Sequence, residues 1–336
     1  MQAARLLTGW LILVTTCQAG AAPPTKIVLD QLNNPCGVAV QPETGHVYVA
    51  ESGAGRVIRI VEGKAQPVIV GFPLDVYGQG PKYKIGPLGL AFVSKNILVV
   101  GGGGFADGAE LLRIYNLPGP DDEPIEAAKM ATSFKLTATE LMKGEGNFYA
   151  VAVTPEAIFV SCNGDDEKGW VSRATVSGTQ FGPFKRFIAT REQTGVDAPV
   201  ALVVNPEGQL VVGQAGELTE PKDSLLTFYD TRTGKKLLNL PTGLHDLTGL
   251  AYSPRTKRLF AIDFAWMDAT AGGLFEISAD RSQLQQKLQL TKITPLEKPT
   301  SMAFGPDGAL YLTVLGKSPA DGAKAAGKLI RIAAGL

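Results

Sequence analysis

The sequence predicts an all-β chain folded as a six-bladed β-propeller and closed by its own amino-terminal strand. Three observations predict it. A unit of about 50 residues recurs along the chain, a period in the propeller range. Its clearest copies read NPCGVAVQPETGHVYVAE around Gly37 and KPTSMAFGPDGALYLTV around Met302, with four worn copies opening near Leu88, Tyr149, Val200 and Thr248. Each copy repeats the same strand–turn–strand order. The third observation is an asymmetry at the two ends: the segment TKIVLDQL, Thr25 to Leu32, has no copy of its own, and the last copy lacks a fourth strand. Pairing the first with the last closes the ring and removes an exposed sheet edge.

The inner strands align as GVAV (Gly37), GLAF (Gly89), AVAV (Ala150), ALVV (Ala201), GLAY (Gly249) and SMAF (Ser301). The first position is always small, as crowding around a propeller axis requires. Pro- and Gly-bearing turns such as QPETGH and GPDG reverse the chain. Second strands follow, including VYVAE, IFVSCN and LFAID, nearly continuously apolar and fit to be buried on both faces. Third strands such as RVIRI and KLIRI and a more variable outer strand complete each blade.

Residues 1–22 read as an export signal that is removed. Arg5 supplies the positive start, Leu6 to Val14 the apolar stretch, and Ala19 to Ala22 the small residues of a cleavage region. The apolar run is too short to span a bilayer. The expectation is a periplasmic or extracellular protein with a single propeller domain over residues 23–336 and no transmembrane segment in the mature chain. Lipidation at Cys17 is the lesser alternative, because Val14-Thr15-Thr16 lacks the small residue that usually precedes a lipidated cysteine. Cys36 and Cys162 fall in different copies and are expected to be buried and unpaired. Lys+Arg and Asp+Glu both number 32. With no excess of positive charge, nucleic acid is not an expected partner.

The long loops, between second and third strands and between blades, open on one face, and the site is placed there, at the mouth of the central channel. Second strands end at Glu51, Gly101, Cys162 with Asn163, Gln214, Asp263 and Val314. Asn34, Cys36, Leu88, Asn147, Tyr149, Val200, Asp246, Thr248 and Thr300 stand at the starts of the inner strands. Oxygen-bearing groups from several blades suit a hard cation such as calcium; the favoured expectation is that they cap strand ends and bond channel water. His245 beside Asp246 is the candidate acid–base pair. The interblade stretch Gly71 to Gly86 carries Tyr77 and Tyr83, and the loop after Asp263 carries Phe264, Trp266 and Met267. Together with Tyr149, the residues Tyr77, Tyr83 and Trp266 are the candidates for binding a ligand or partner. The same aromatics are equally suited to plugging the channel mouth.

Pro35, Gly37, Ala39, Gly45, Tyr48, Val49, Glu51, Arg56 and Val57 in the first copy resemble the NHL-repeat family, as do Pro299, Ala303, Pro306, Gly308, Leu310 and Tyr311 in the last. That family sits in a broader group of six-bladed propellers that includes the SMP-30/gluconolactonase-like hydrolases. The resemblance implies a calcium site built from a Glu, an Asn and an Asp, for which Glu51, Asn163 and Asp263 are this chain's candidates and Asn147 and Asp246 the reserves. Gly101, Gln214 and Val314 depart from such a ring.

Two functions are therefore expected. The first is a non-catalytic propeller that binds a protein, a small molecule or a carbohydrate at its entry face, with no cofactor required. The alternative is a calcium-dependent lactonase or esterase of the SMP-30/gluconolactonase kind. A quinone-cofactor dehydrogenase is a remote third reading, disfavoured by the scarcity of His and basic residues near the mouth.

Overall fold

The computed structural model describes residues 23–78, 82–164, 167–280, 287–316 and 325–336. The expected export signal, residues 1–22, lies outside the described residues. Among the described residues no helix is long and apolar enough to cross a membrane.

The chain is nearly all β and forms six blades. Inner to outer, the first blade is Pro35–Val40, Val47–Glu51, Arg56–Val61 and Lys64–Val70, each antiparallel to the next. The second runs Pro87–Ser94, Ile97–Gly102, Leu112–Asn116 and Thr132–Phe134. The third is Phe148–Val153, Ala157–Cys162 and Trp170–Ser177, flanked by Lys185–Ala189. The fourth is Pro199–Val204, Leu210–Gln214, Leu225–Tyr229 and Lys236–Pro241, and the fifth Leu247–Tyr252, Leu259–Asp263, Gly273–Asp280 and Lys287–Pro295. In the sixth, Pro299–Phe304, Leu310–Val314 and Gly327–Ile332 come from the carboxyl end, and Thr25–Leu32 is the outer strand. That closing strand pairs antiparallel with Gly327–Ile332 in the register Thr25 to Ile332 and Ile27 to Ile330. The ring closes as the sequence predicts.

Packing explains the strand composition. Every residue of Val47–Glu51 and of Leu259–Asp263 is buried. Apolar side chains of adjacent blades fill the gap between them; Tyr48, Leu98, Val100 and Tyr115 share one such cluster. Each fully buried side chain of this kind contributes about 1.5–3 kcal/mol. The small residue at the head of the inner strand is a steric necessity. A Cβ on Gly37 would lie 2.1 Å from the Leu88 carbonyl oxygen, and one on Gly89 would lie 2.6 Å from that of Tyr149. Neighbouring inner strands touch backbone to backbone there, and no side-chain movement relieves the clash.

Three features go beyond the repeat. The Asn116–Lys129 stretch returns to the first blade, where Ile125–Glu126 pairs parallel with Lys64–Val70. The Tyr115 hydroxyl donates to the Ala127 carbonyl at 2.8 Å and pins it. A short helix, Thr190–Thr194, leads into the fourth blade. Between the first two blades, Asp75–Tyr77 and Tyr83–Ile85 form a separate small hairpin. Cys36 and Cys162 are both buried and free.

Candidate functional site at the channel mouth

Six equivalent backbone hydrogen bonds build the rim of the channel. In each blade the residue just past the second strand donates its N–H to a carbonyl just before the inner strand. The pairs are Ser52 to Asn34, Gly103 to Gly86, Asn163 to Gly146, Ala215 to Ala198, Phe264 to Asp246 and Leu315 to Lys298. Four residues immediately preceding inner strands, Asn34, Asn147, Ala198 and Lys298, adopt left-handed backbone with φ of 48°, 46°, 52° and 52°. Such a conformation costs a non-glycine residue about 1–3 kcal/mol. Its recurrence at one blade position marks it as part of the turn that brings the chain from the rim into the channel.

Inside this rim lies a cavity of about 190 Å³. Tyr149 and Thr248 form its floor, since both also line a smaller hollow of about 70 Å³ farther along the channel. Tyr149 donates through its hydroxyl to the Thr300 carbonyl at 2.9 Å, and Thr248 to the Pro299 carbonyl at 2.9 Å. The walls are mostly apolar, with Ile85, Leu88, Val200, Leu218, Phe264 and Leu315 prominent. Asn34, Asn147, Asn163 and Asp246 bring polar groups.

Of the residues singled out from the sequence, Tyr77, Tyr83, Tyr149, Trp266, Asn147, Asn163 and Asp246 line this one cavity. Glu51 and Asp263 do not. Glu51 is 4% exposed and accepts the Asn33 N–H at 2.9 Å and the Arg56 guanidinium at 2.6 Å. Asp263 accepts the Asp246 N–H at 2.8 Å and the His245 N–H at 3.0 Å. Gln214 acts alike, donating to the Val196 carbonyl and accepting from the Thr227 hydroxyl. These strand-end groups satisfy the N–H and C=O groups of the loop entering their own blade. Among the described residues no three His, Cys, Asp or Glu side chains cluster as a metal-binding group. Of the trio Glu51, Asn163 and Asp263, only Asn163 lines the cavity, and the carboxylate that does reach it, Asp246, stands among amides. His245 is half-buried and outside the lining.

Asp246 is the chemically distinctive group. It is 4% exposed, and its carboxylate accepts the Trp266 N–H at 2.5 Å. Burial raises its pKa to about 6; the Trp266 N–H and nearby His245 oppose that rise, and the Asp263 charge adds to it. The Cys36 thiol, also on the lining, is pushed up to about 12 by burial.

One element of the rim was not foreseen. The Lys298 ammonium lies 5.6 Å from the Trp266 ring centre, 5.8 Å from Tyr83 and 6.0 Å from Phe264, and donates to the Tyr83 hydroxyl at 3.1 Å. Phe264 and Trp266 stack at 5.4 Å, and Tyr83 meets Trp266 edge-on at 6.1 Å. The hairpin from between the first two blades is thus fastened to loops of the fifth and sixth. No sequence signal marks Lys298, because a lone lysine before a proline reads as a solvated loop residue.

No protein-family model and no curated protein sequence matches the chain, so the NHL-repeat naming finds no support. Solved structures do match along nearly the whole length. The PQQ-bound aldose sugar dehydrogenase of Streptomyces coelicolor superposes with a TM-score of 0.59 at 15% identity, covering 93% of this chain and 100% of that one. A protein provisionally named gluconolactonase gives a TM-score of 0.57 at 14% identity over 94% and 93% of the two chains. A luciferin-regenerating enzyme gives 0.59 at 15% over 94% and 96%. At these identities the likeness shows the fold alone, a six-bladed propeller. All three neighbours carry enzyme names, which goes against the expectation of a non-catalytic binder.

Proposed function

We propose that this chain hydrolyses lactones or esters in the mouth cavity, with Asp246 as the general base. The observation that carries the reading is a buried carboxyl, raised to about 6, on the wall of an apolar cavity that also presents the Asn147 and Asn163 amides. A carboxyl so placed is ionised at neutral pH yet basic enough to take a proton. Water attacks the ester carbon, and its proton passes to Asp246. The carbon–oxygen bond of the ring or ester breaks, and the departing alkoxide takes that proton back. The amide N–H groups of Asn147 and Asn163 are donors for the oxyanion that forms in between. Tyr77, Tyr83, Tyr149 and Trp266 hold the body of the substrate. No step is routed through a metal.

A PQQ dehydrogenase reading is less well supported. PQQ is a tricarboxylate, and among the described residues no Lys, Arg or His side chain lines the cavity to meet it. Lys298, which packs against the rim aromatics, is engaged by Tyr83. The residues present do not fit that cofactor. Export after removal of residues 1–22 is part of the proposal, and the mass of the mature amino terminus tests it.

The test is a panel of lactones and aryl esters assayed with and without a chelator, comparing wild type with Asp246→Asn. Turnover reduced at least a hundredfold in the variant is the expected result. No turnover of any substrate, or an undiminished rate in the variant, sinks the reading. The chelator arm reads metal dependence directly.

A further inference from the structure

We infer that the cavity selects an apolar ligand, an alkyl- or aryl-substituted lactone or ester, and rejects polyhydroxylated sugar lactones. The identity of the ligand as a substrate rests on the hydrolase reading; the polarity of the cavity does not.

The argument is an accounting of polar groups. A sugar lactone carries a hydroxyl on nearly every ring carbon, and each that enters the cavity exchanges water for the wall. A hydroxyl buried without a partner costs roughly 1–3 kcal/mol by protein mutational data. Most polar side chains of this lining are already committed to the protein. The Asn34 amide donates to the Lys84 carbonyl at 2.7 Å. The Thr248 and Tyr149 hydroxyls donate to the Pro299 and Thr300 carbonyls, and the Thr300 hydroxyl donates to the Pro35 carbonyl at 2.7 Å. Asp246 already accepts the Trp266 N–H. What remains among the described residues is the second oxygen of Asp246, the amides of Asn147 and Asn163, and the acceptor lone pairs of the hydroxyls that already donate. These groups orient one carbonyl and one attacking water, and the rest of the wall leaves the other hydroxyls of a sugar ring facing apolar side chains such as Leu88, Val200 and Leu315.

The rest of the surface is apolar, and it continues outward. Leu218 and Tyr77 line the cavity and are still 46% and 49% exposed. Val76, next to Tyr77, and Met267, next to the lining residue Trp266, are 54% and 72% exposed. An apolar collar of this kind around a pocket mouth is unusual for a surface facing only water. It gives a ligand's alkyl chain a path from the rim to the floor. The cavity's 190 Å³ exceeds the roughly 150 Å³ that takes a benzene ring. A five- or six-membered ring therefore enters, and a longer substituent extends along the collar.

The test separates binding from turnover. Calorimetry measures the affinity of alkyl-substituted δ-lactams, which are far slower to hydrolyse than lactones, as the chain grows from methyl to hexyl. Affinity is expected to rise up to about fourfold per methylene until the chain leaves the collar. Glucono-δ-lactam is expected to show no heat. Leu218→Asn, at an exposed position that folding tolerates, flattens the chain-length slope without unfolding the protein. Trp266→Ala is a second variant expected to do the same. Parallel rate assays use the matching lactones. A slope of zero, or binding of the glucono compound as tight as the hexyl one, overturns the inference. Chain-length-dependent lactam binding with no lactone turnover upholds the apolar cavity and sinks the hydrolase reading alone.

Discussion

The hydroxyl of Tyr149, on the third blade, donates to the carbonyl of Thr300 on the sixth, 2.9 Å away across the channel. This bond turns an open channel into a closed-bottomed cavity. Burial raises the phenol's pKa well above its usual value, so the hydroxyl stays a donor throughout the working pH range.

Two variants separate the bond from the bulk of the ring. Tyr149→Phe keeps the floor and loses one hydrogen bond, costing about 1 kcal/mol of stability. Tyr149→Ala joins the cavity to the smaller hollow beneath it. Alkyl-lactam affinity should fall by no more than about threefold in the first and at least tenfold in the second, since only the second removes apolar contact. Calorimetry decides, and equal losses in both variants would show that the ring is not the floor.

Asp246 predicts a pH profile with a known sign. The base must be ionised, so kcat/KM falls tenfold per unit below an apparent pKa of about 6 and is flat above it. Stability runs the other way. The folded pKa is raised from 3.8 to about 6, so the folded state is disfavoured progressively as pH rises through that interval. Asp246→Asn removes the charge. Its melting temperature relative to wild type should therefore improve between pH 4 and pH 6 and stay improved above. A pH-independent difference would locate the titration elsewhere.

Much of this site was legible because propeller geometry is periodic. A small residue before Ala39 and before Ala91 had to face a neighbouring backbone, and Gly37 and Gly89 do. Residues at the heads of inner strands had to face the channel mouth, which is how Asn147, Tyr149 and Asp246 were found. Glu51 and Asp263 were misplaced because a strand-end carboxylate has two available fates, the lumen or the adjoining loop. The unsatisfied N–H groups of Asn33, His245 and Asp246 decide between them. Those donors exist only once the loop has folded. The left-handed turns at Ala198 and Lys298 were likewise invisible, since neither residue type favours positive φ.

The Lys298 cage predicts a local rather than global effect. Lys298→Met keeps the aliphatic stem and removes the ammonium from three rings and from the Tyr83 hydroxyl. Each exposed cation–π contact is worth about 0.5–1 kcal/mol. Hydrogen exchange should therefore quicken across Tyr83–Ile85 and leave the inner strands unchanged. Uniform quickening through all six blades would mean that Lys298 supports the whole ring instead.

The closing strand carries the largest predicted penalty. Leu32 is 5% exposed and packs with Val49, Ile58 and Leu329. The strand also covers the edge of Gly327–Ile332 along its length. Leu32→Ala should cost about 2–5 kcal/mol. Deleting residues 25–32 removes that packing and also bares a strand edge, which invites association between chains. The deletion should lower the melting temperature further than Leu32→Ala and drive the protein into oligomers on size-exclusion chromatography. Trimming residues 1–22 should do neither. If the chain lacking residues 25–32 melts with wild-type cooperativity as a monomer, the ring is held shut by blade-to-blade packing alone and the latch is dispensable.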